Sequence, residues 1–188
     1  MSDRPVVLLD CDGIMADFVG ACVRELASVG VHVRAEDVDR YDMMSAWKLT
    51  HGARETLLAA WNRPGFCSSL APYPGAREGV DALREIAEVY VVTTPMWSSL
   101  TWMRERTDWL ESRMGIPKHR VVHTEAKHVI DGDLLVDDND RNVCAWSEEA
   151  LRRYRATYQG ILWSRPWNDH ARWDLRASCW DDVMAVLR

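Results

Sequence analysis

Asp10-Cys11-Asp12-Gly13 closes the apolar run from Pro5 to Leu9, Thr93-Thr94-Pro95 closes Val89 to Val92, and Asp137-Asp138-Asn139 closes Leu134 to Val136. Lys127 stands just ahead of the last run. Strand periodicity puts Asp10 and Asp12 on one side of the chain. If the runs are strands of one parallel sheet, their ends share an edge, and four carboxylates converge there. Without a cation such a group repels itself strongly. A divalent metal removes the conflict, and a donor set made of oxygen alone favours magnesium (Mg2+). Lys127 can hold a phosphate oxygen and also compensate Asp10. A nucleophilic carboxylate, a second carboxylate for proton transfer, a hydroxyl, an ammonium and a metal site together suit phosphoryl transfer through an aspartyl-phosphate.

The elements that must position these residues are legible as a rhythm. Short, β-branched apolar runs without alternation read as strands buried on both faces. Weaker strand candidates are Arg120 to His123 and Gly160 to Trp163. Ala76, Val80, Leu83 and Ala87 recur at helical spacing after the turn signal Pro72-Tyr73-Pro74-Gly75. Ser98 or Ser99 can cap a helix running to about Met114, with Gly115-Ile116-Pro117 as its stop, and residues 181–187 read as a closing helix. Strands alternating with helices predict an α/β fold, a Rossmann-like three-layer core with a parallel sheet. Residues 18–70 break the rhythm with helical patterns alone, near Ala21 to Val29 and Glu55 to Trp61. The expected organisation is a core of residues 1–17 and 71–188, with a small helical cap of residues 18–70 inserted after the first strand. A cap there sits over the carboxyl ends of the strands, where open α/β sheets bind ligands.

Composition narrows the function classes. The chain has 188 residues and a formal net charge of -6, with no basic stripe, which argues against long nucleic acid as a partner. Three lysines stand against twenty arginines, so the position of each lysine is informative. Five cysteines without a CxxC pair suggest neither a disulfide framework nor a zinc site. The first apolar run is too short for a signal segment or a membrane span. A soluble cytoplasmic protein without a membrane partner is expected, and a homodimer is compatible with the sequence.

The order Asp10-x-Asp12, Thr93, Lys127, Asp137-Asp138 resembles the four motifs of the haloacid dehalogenase superfamily of phosphatases. Within it, Leu9-Asp10-Cys11-Asp12-Gly13-Ile14-Met15-Ala16-Asp17-Phe18 is similar to the 5′(3′)-deoxyribonucleotidases, as are Leu70 to Ala76 and Gly132 to Asp138. The resemblance implies that Asp10 attacks phosphorus, and that Asp12 protonates the leaving oxygen and then activates water. It implies magnesium on Asp10, the Asp12 backbone carbonyl and Asp138, with Asp137 close by. Thr93, with backbone N–H groups near Thr94, binds phosphate, and Lys127 neutralises the transferring group. The implied substrate is a small (deoxy)nucleoside monophosphate. Asn139-Asp140 stands where many relatives carry a proline-containing turn, and Met96-Trp97-Ser98 where some nucleotidases place a lysine.

Phe18, Tyr41, Trp47, Trp61 and Phe66 fall in the expected cap, where a base can stack on one or two of them. Phe18 is favoured by its place beside the catalytic run, followed by Trp47 and Phe66. A phosphatase of the same superfamily acting on a sugar phosphate is the main alternative. A receiver-type signalling domain has the Asp pair first and the Thr and Lys after its phosphorylated Asp, and this order differs. A non-catalytic binding module would be marked by loss of Asp10 or Asp12, and both are present.

Overall fold

The computed structural model describes residues 4–153 and 159–187. Among these, six strands form one sheet: β1 (Val6–Leu9), β2 (Glu88–Thr93), β3 (Val121–His123), β4 (Leu134–Asp137), β5 (Gln159–Trp163) and β6 (Arg176–Ala177). Their order is β3-β2-β1-β4-β5-β6, and every pairing is parallel. The expected Rossmann-like α/β core is present. The helices are α1 (Phe18–Ser28), α2 (Met43–Ala46), α3 (His51–Asn62), α4 (Ala76–Ile86), α5 (Trp102–Met114), α6 (Asp140–Arg152) and α7 (Trp180–Val186).

Alternate strand residues feed the two faces of the sheet. Val7, Leu9, Val89, Val91, Leu134 and Val136 pack with residues of α4, α5 and α7. Leu8, Val92 and Leu135 pack with Trp146 of α6 on the opposite face. This two-sided burial is why the strands carry unbroken apolar runs. β1 lies at the centre, with Leu9 level with both Val91 and Val136. The residues that follow β1, β2 and β4 therefore emerge side by side.

Two details differ from the sequence reading. α5 begins at Trp102 with Thr101 as its cap, because Ser99 is spent in a turn, its N–H donating to the Met96 carbonyl. β6 has two residues, too few to leave a pattern. Gly115 ends α5 in the left-handed conformation (φ 64°), as its glycine predicts.

Residues 18–70 hold α1, α2, α3 and short 3-10 turns, without a named strand. Asp17 caps α1 by accepting the Gly20 N–H at 2.9 Å. Cys22 and Leu26 of α1 pack on Leu49, Ala53 and Leu57 in a separate apolar cluster. Ala60, Phe66, Cys67 and Leu70 instead join the main core. No described helix is long and apolar enough to cross a membrane.

Candidate active site

Asp10 leaves β1 with its N–H bonded to the Val136 carbonyl at 2.9 Å, so β4 fixes the backbone that carries it. Three residues on, the chain turns sharply. Gly13 has φ 76°, and a Cβ there would lie 1.9 Å from Asp138 Oδ2. Glycine is required twice at this position, by the backbone angle and by the carboxylate packed against it.

Lys127 opens a 3-10 turn before β4 and is 2% exposed. Its ammonium lies 2.7 Å from both Asp10 Oδ1 and Asp137 Oδ2. Burial opposes the lysine charge, but Asp10 and Asp137 outweigh it and hold the ammonium above its usual pKa. Asp137 is saturated: it also accepts from the Asn139 N–H at 2.8 Å and from the Asn142 side chain. Burial pushes its carboxyl up to about 6, with Lys127 opposing. The ion pairs of Lys127 go to Asp10 and Asp137, and its charge only opposes the shift at Asp138 from further off. Burial raises its carboxyl well above the usual range, and the charges of Asp10 and Asp137 add to the shift.

Thr93 ends β2, is 1% exposed, and its buried Oγ1 has no hydrogen-bond partner among the described residues. A buried hydroxyl left unsatisfied beside a cavity calls for a ligand. Thr94 is tied down: its hydroxyl donates to the Thr124 carbonyl at 3.3 Å.

Asp10, Asp137 and Asp138 each present a carboxylate oxygen, and these lie within 4.8 Å of one another, all buried. Three buried carboxylates against one ammonium are short of positive charge. A divalent cation bound by oxygen fits this set, and magnesium is the hard cation such donors suit. Asp12 contributes no carboxylate to the cluster. Its side chain turns to Arg106, whose Nη2 donates at 2.7 and 2.8 Å to the two carboxylate oxygens. Burial raises the Asp12 carboxyl, and Arg106 opposes the rise. The sequence reading missed Arg106. Its signal was present: Trp102, Arg106, Trp109 and Leu110 lie on one helical face, an arginine among core positions.

Asn168 was missed as well. It is 1% exposed and donates to the carbonyls of Asp138 and Trp163, both at 2.8 Å. Arg165, on the same turn after β5, donates to the Gly13 carbonyl and lies 4.2 Å from the Tyr73 ring. Together they fix the backbones of two of the loops that make the site.

These groups border a cavity of about 460 Å³. Asp10, Asp12, Thr93, Thr94, Lys127 and Asp138 line it. The lining also includes Phe18, Val19, Tyr41, Met43, Met44, Leu58, Trp61 and Trp102. Phe18 lines the cavity, its ring centroid 5.4 Å from that of Trp61. Trp47 and Phe66 do not line it, and the expectation for these two is corrected. Phe66 is 2% exposed and stacked on Trp102, because the turn after α3 folds into the core. Trp47 donates its indole N–H to the Arg34 carbonyl at 2.8 Å and packs against the cluster of Val19, Val38 and Trp167. Tyr41, Met43, Met44, Leu58 and Trp61 line the cavity instead.

Residues 4–188 match the model of a family described as 5′ nucleotidase, deoxy (pyrimidine), cytosolic type C protein. The human cytosolic-type 5′(3′)-deoxyribonucleotidase is 29% identical over 142 residues, 71% of this chain and 70% of that protein. A relative from Bordetella bronchiseptica is 29% identical over 188 residues, 96% of this chain and 95% of its own. Among solved structures, a haloacid dehalogenase-like hydrolase from Streptococcus pneumoniae superposes with a TM-score of 0.62 at 11% identity, covering 100% of both chains. At that identity the likeness speaks for the fold, which is that of the haloacid dehalogenase-like hydrolases.

Proposed function

This chain belongs to the 5′-nucleotidase family of the deoxy (pyrimidine), cytosolic C type, and on that premise we propose that it hydrolyses (deoxy)nucleoside monophosphates to nucleoside and phosphate through an aspartyl-phosphate on Asp10. The observation that carries the reading is the mixed lining of one cavity: Asp10, Lys127, Asp138 and the Thr93 hydroxyl share it with Phe18, Trp61, Met43 and Met44. The polar groups suit a phosphate, and the aromatic and methionine side chains suit a planar base.

Asp10 attacks phosphorus in line with the departing oxygen. Asp12 gives that oxygen a proton, then takes one from the water that opens the aspartyl-phosphate. Lys127 and Thr93 hold the phosphoryl oxygens as their charge redistributes. Asp10, Asp138 and the Asp12 carbonyl would hold magnesium, with Asp137 behind them; bound there, it neutralises phosphoryl charge. The helical residues 18–70 serve as the cap that selects the leaving group. Five free cysteines support a reducing, cytoplasmic setting.

The test is a phosphate-release screen over deoxynucleotides, ribonucleotides and sugar phosphates, with and without EDTA. Deoxynucleotides are expected to turn over fastest, and EDTA to stop turnover until magnesium is restored. Asp10→Asn should abolish release while the protein stays folded. Retained turnover in that variant removes Asp10 as nucleophile, and equal turnover of sugar phosphates defeats the nucleotide reading.

A further inference from the structure

We propose that Arg106 is the positioning residue for Asp12: it sets the direction in which that carboxylate faces while the proton moves to and from it. This rests on the reading of Asp12 as acid and base given above.

Three observations carry the inference. Arg106 is 0% exposed on the core side of α5, where packing alone calls for an apolar side chain. Its guanidinium sits 5.4 Å from the Trp102 ring centroid and 5.8 Å from that of Trp109, so it has little freedom to turn. It then donates to two successive residues of the catalytic loop: Nη1 to Cys11 Sγ at 2.9 Å, and Nη2 to both Asp12 oxygens. A nitrogen shared by both oxygens fixes the rotation of the carboxylate.

The cations of the site are thereby divided. Lys127 serves Asp10 and Asp137, while Arg106 serves Asp12. Asp12 keeps 28% of its side chain exposed and lines the cavity, so the fixed carboxylate still faces the substrate. Arg106 itself does not line the cavity. A guanidinium does not release its proton in proteins, so Arg106 orients the proton donor without replacing it. Without this clamp Asp12 is free to rotate away from the leaving oxygen, and the geometry that proton transfer needs is lost.

The experiment compares two substrates whose leaving groups need the proton unequally. A deoxynucleoside monophosphate expels an alkoxide, which must be protonated. p-Nitrophenyl phosphate expels a stabilised phenolate, which leaves without help. Specificity constants, kcat/KM, report the steps up to departure of the leaving group. In Arg106→Met, kcat/KM for the nucleotide should fall about 100-fold, the scale of a general-acid contribution, and the aryl phosphate by less than about 5-fold. KM for the nucleotide should change little. Asp12→Asn should show the same split, and Arg106→Lys should recover part of the loss, since an ammonium can reach one carboxylate oxygen. Where Arg106→Met does not fold, the split is read from Arg106→Lys alone. Equal losses on both substrates mean that Arg106 only supports the fold, and overturn the proposal. Unchanged nucleotide turnover in either arginine variant overturns it too. If Asp12→Asn shows no split, the acid role itself has failed, and the proposal falls with it for that separate reason.

Discussion

Lys127→Met removes the ammonium shared by Asp10 and Asp137 while keeping a side chain of similar length. Both contacts are 2.7 Å, and the side chains of Lys127 and Asp137 are 2% and 0% exposed. Breaking a buried pair by removing one partner costs about 3–5 kcal/mol. A second route bounds the number. A stranded carboxylate can neutralise itself by binding a proton, and holding it protonated at pH 7 against an unfolded value near 3.9 costs about 4 kcal/mol. The loss in metal-free buffer at pH 7 is therefore expected to be at most about 4 kcal/mol. The sign with pH follows. The stranded carboxyl has its folded pKa raised above the unfolded one, so its penalty shrinks as pH falls toward the unfolded value. At pH 5 the ceiling is about 1.5 kcal/mol. Urea denaturation of both proteins in EDTA at pH 7 and pH 5 measures the gap. A gap below about 1 kcal/mol at pH 7, or one that widens on acidification, refutes the view that Lys127 neutralises this cluster. Magnesium should return part of the lost stability, because it binds the folded carboxylates.

Thr93→Val removes the unpartnered buried hydroxyl at nearly constant shape. Folding stability should hold or rise by about 1 kcal/mol, while inhibition by inorganic phosphate weakens; a marked loss of stability would show that the hydroxyl is satisfied in the free protein. Gly13→Ala should cost more than the roughly 1–2 kcal/mol of a left-handed non-glycine residue, because its Cβ meets Asp138 at 1.9 Å. Gly30→Ala is the control, with φ 78° and open space around it. Similar denaturation midpoints for the two variants would mean that Asp138 yields freely.

The sheet was legible because its strands are buried on both faces and end in polar residues. Val7, Leu9, Val91 and Val136 leave no alternation to misread, and Asp10, Thr93 and Asp137 mark where each run meets the site. The groups that aim the site were harder to see. Arg106 and Asn168 act from the middle of a helix and from a turn, and nothing local distinguishes them from surface residues. Only the spacing of Trp102, Arg106, Trp109 and Leu110 put Arg106 inside. The apolar lining of the cavity was the least legible part. α2 is four residues long, too short for a helical period to show which of its side chains face the cavity. Phe66 and Trp47 could not be told from Tyr41 and Trp61 by type, and packing decided between them: a turn into the core for Phe66, an indole bond to Arg34 for Trp47.

The chain leaves the sheet through Met15–Asp17 and comes back through Ala71–Tyr73. There the Asp17 N–H donates to the Ala71 carbonyl at 2.9 Å and the Tyr73 N–H to the Met15 carbonyl at 2.8 Å. The excursion of residues 18–70 is thus cinched at its base like a purse. Closure entropy rises only with the logarithm of length, so doubling such an excursion adds about 0.6 kcal/mol. Whatever lies beyond the cinch can be lengthened or exchanged while the sheet below scarcely registers it. The natural seam for such an exchange is not the cinch itself. Ala21, Ala60, Phe66, Cys67 and Leu70 are plugged into the main core, so a transplanted recognition surface would have to keep those residues in place.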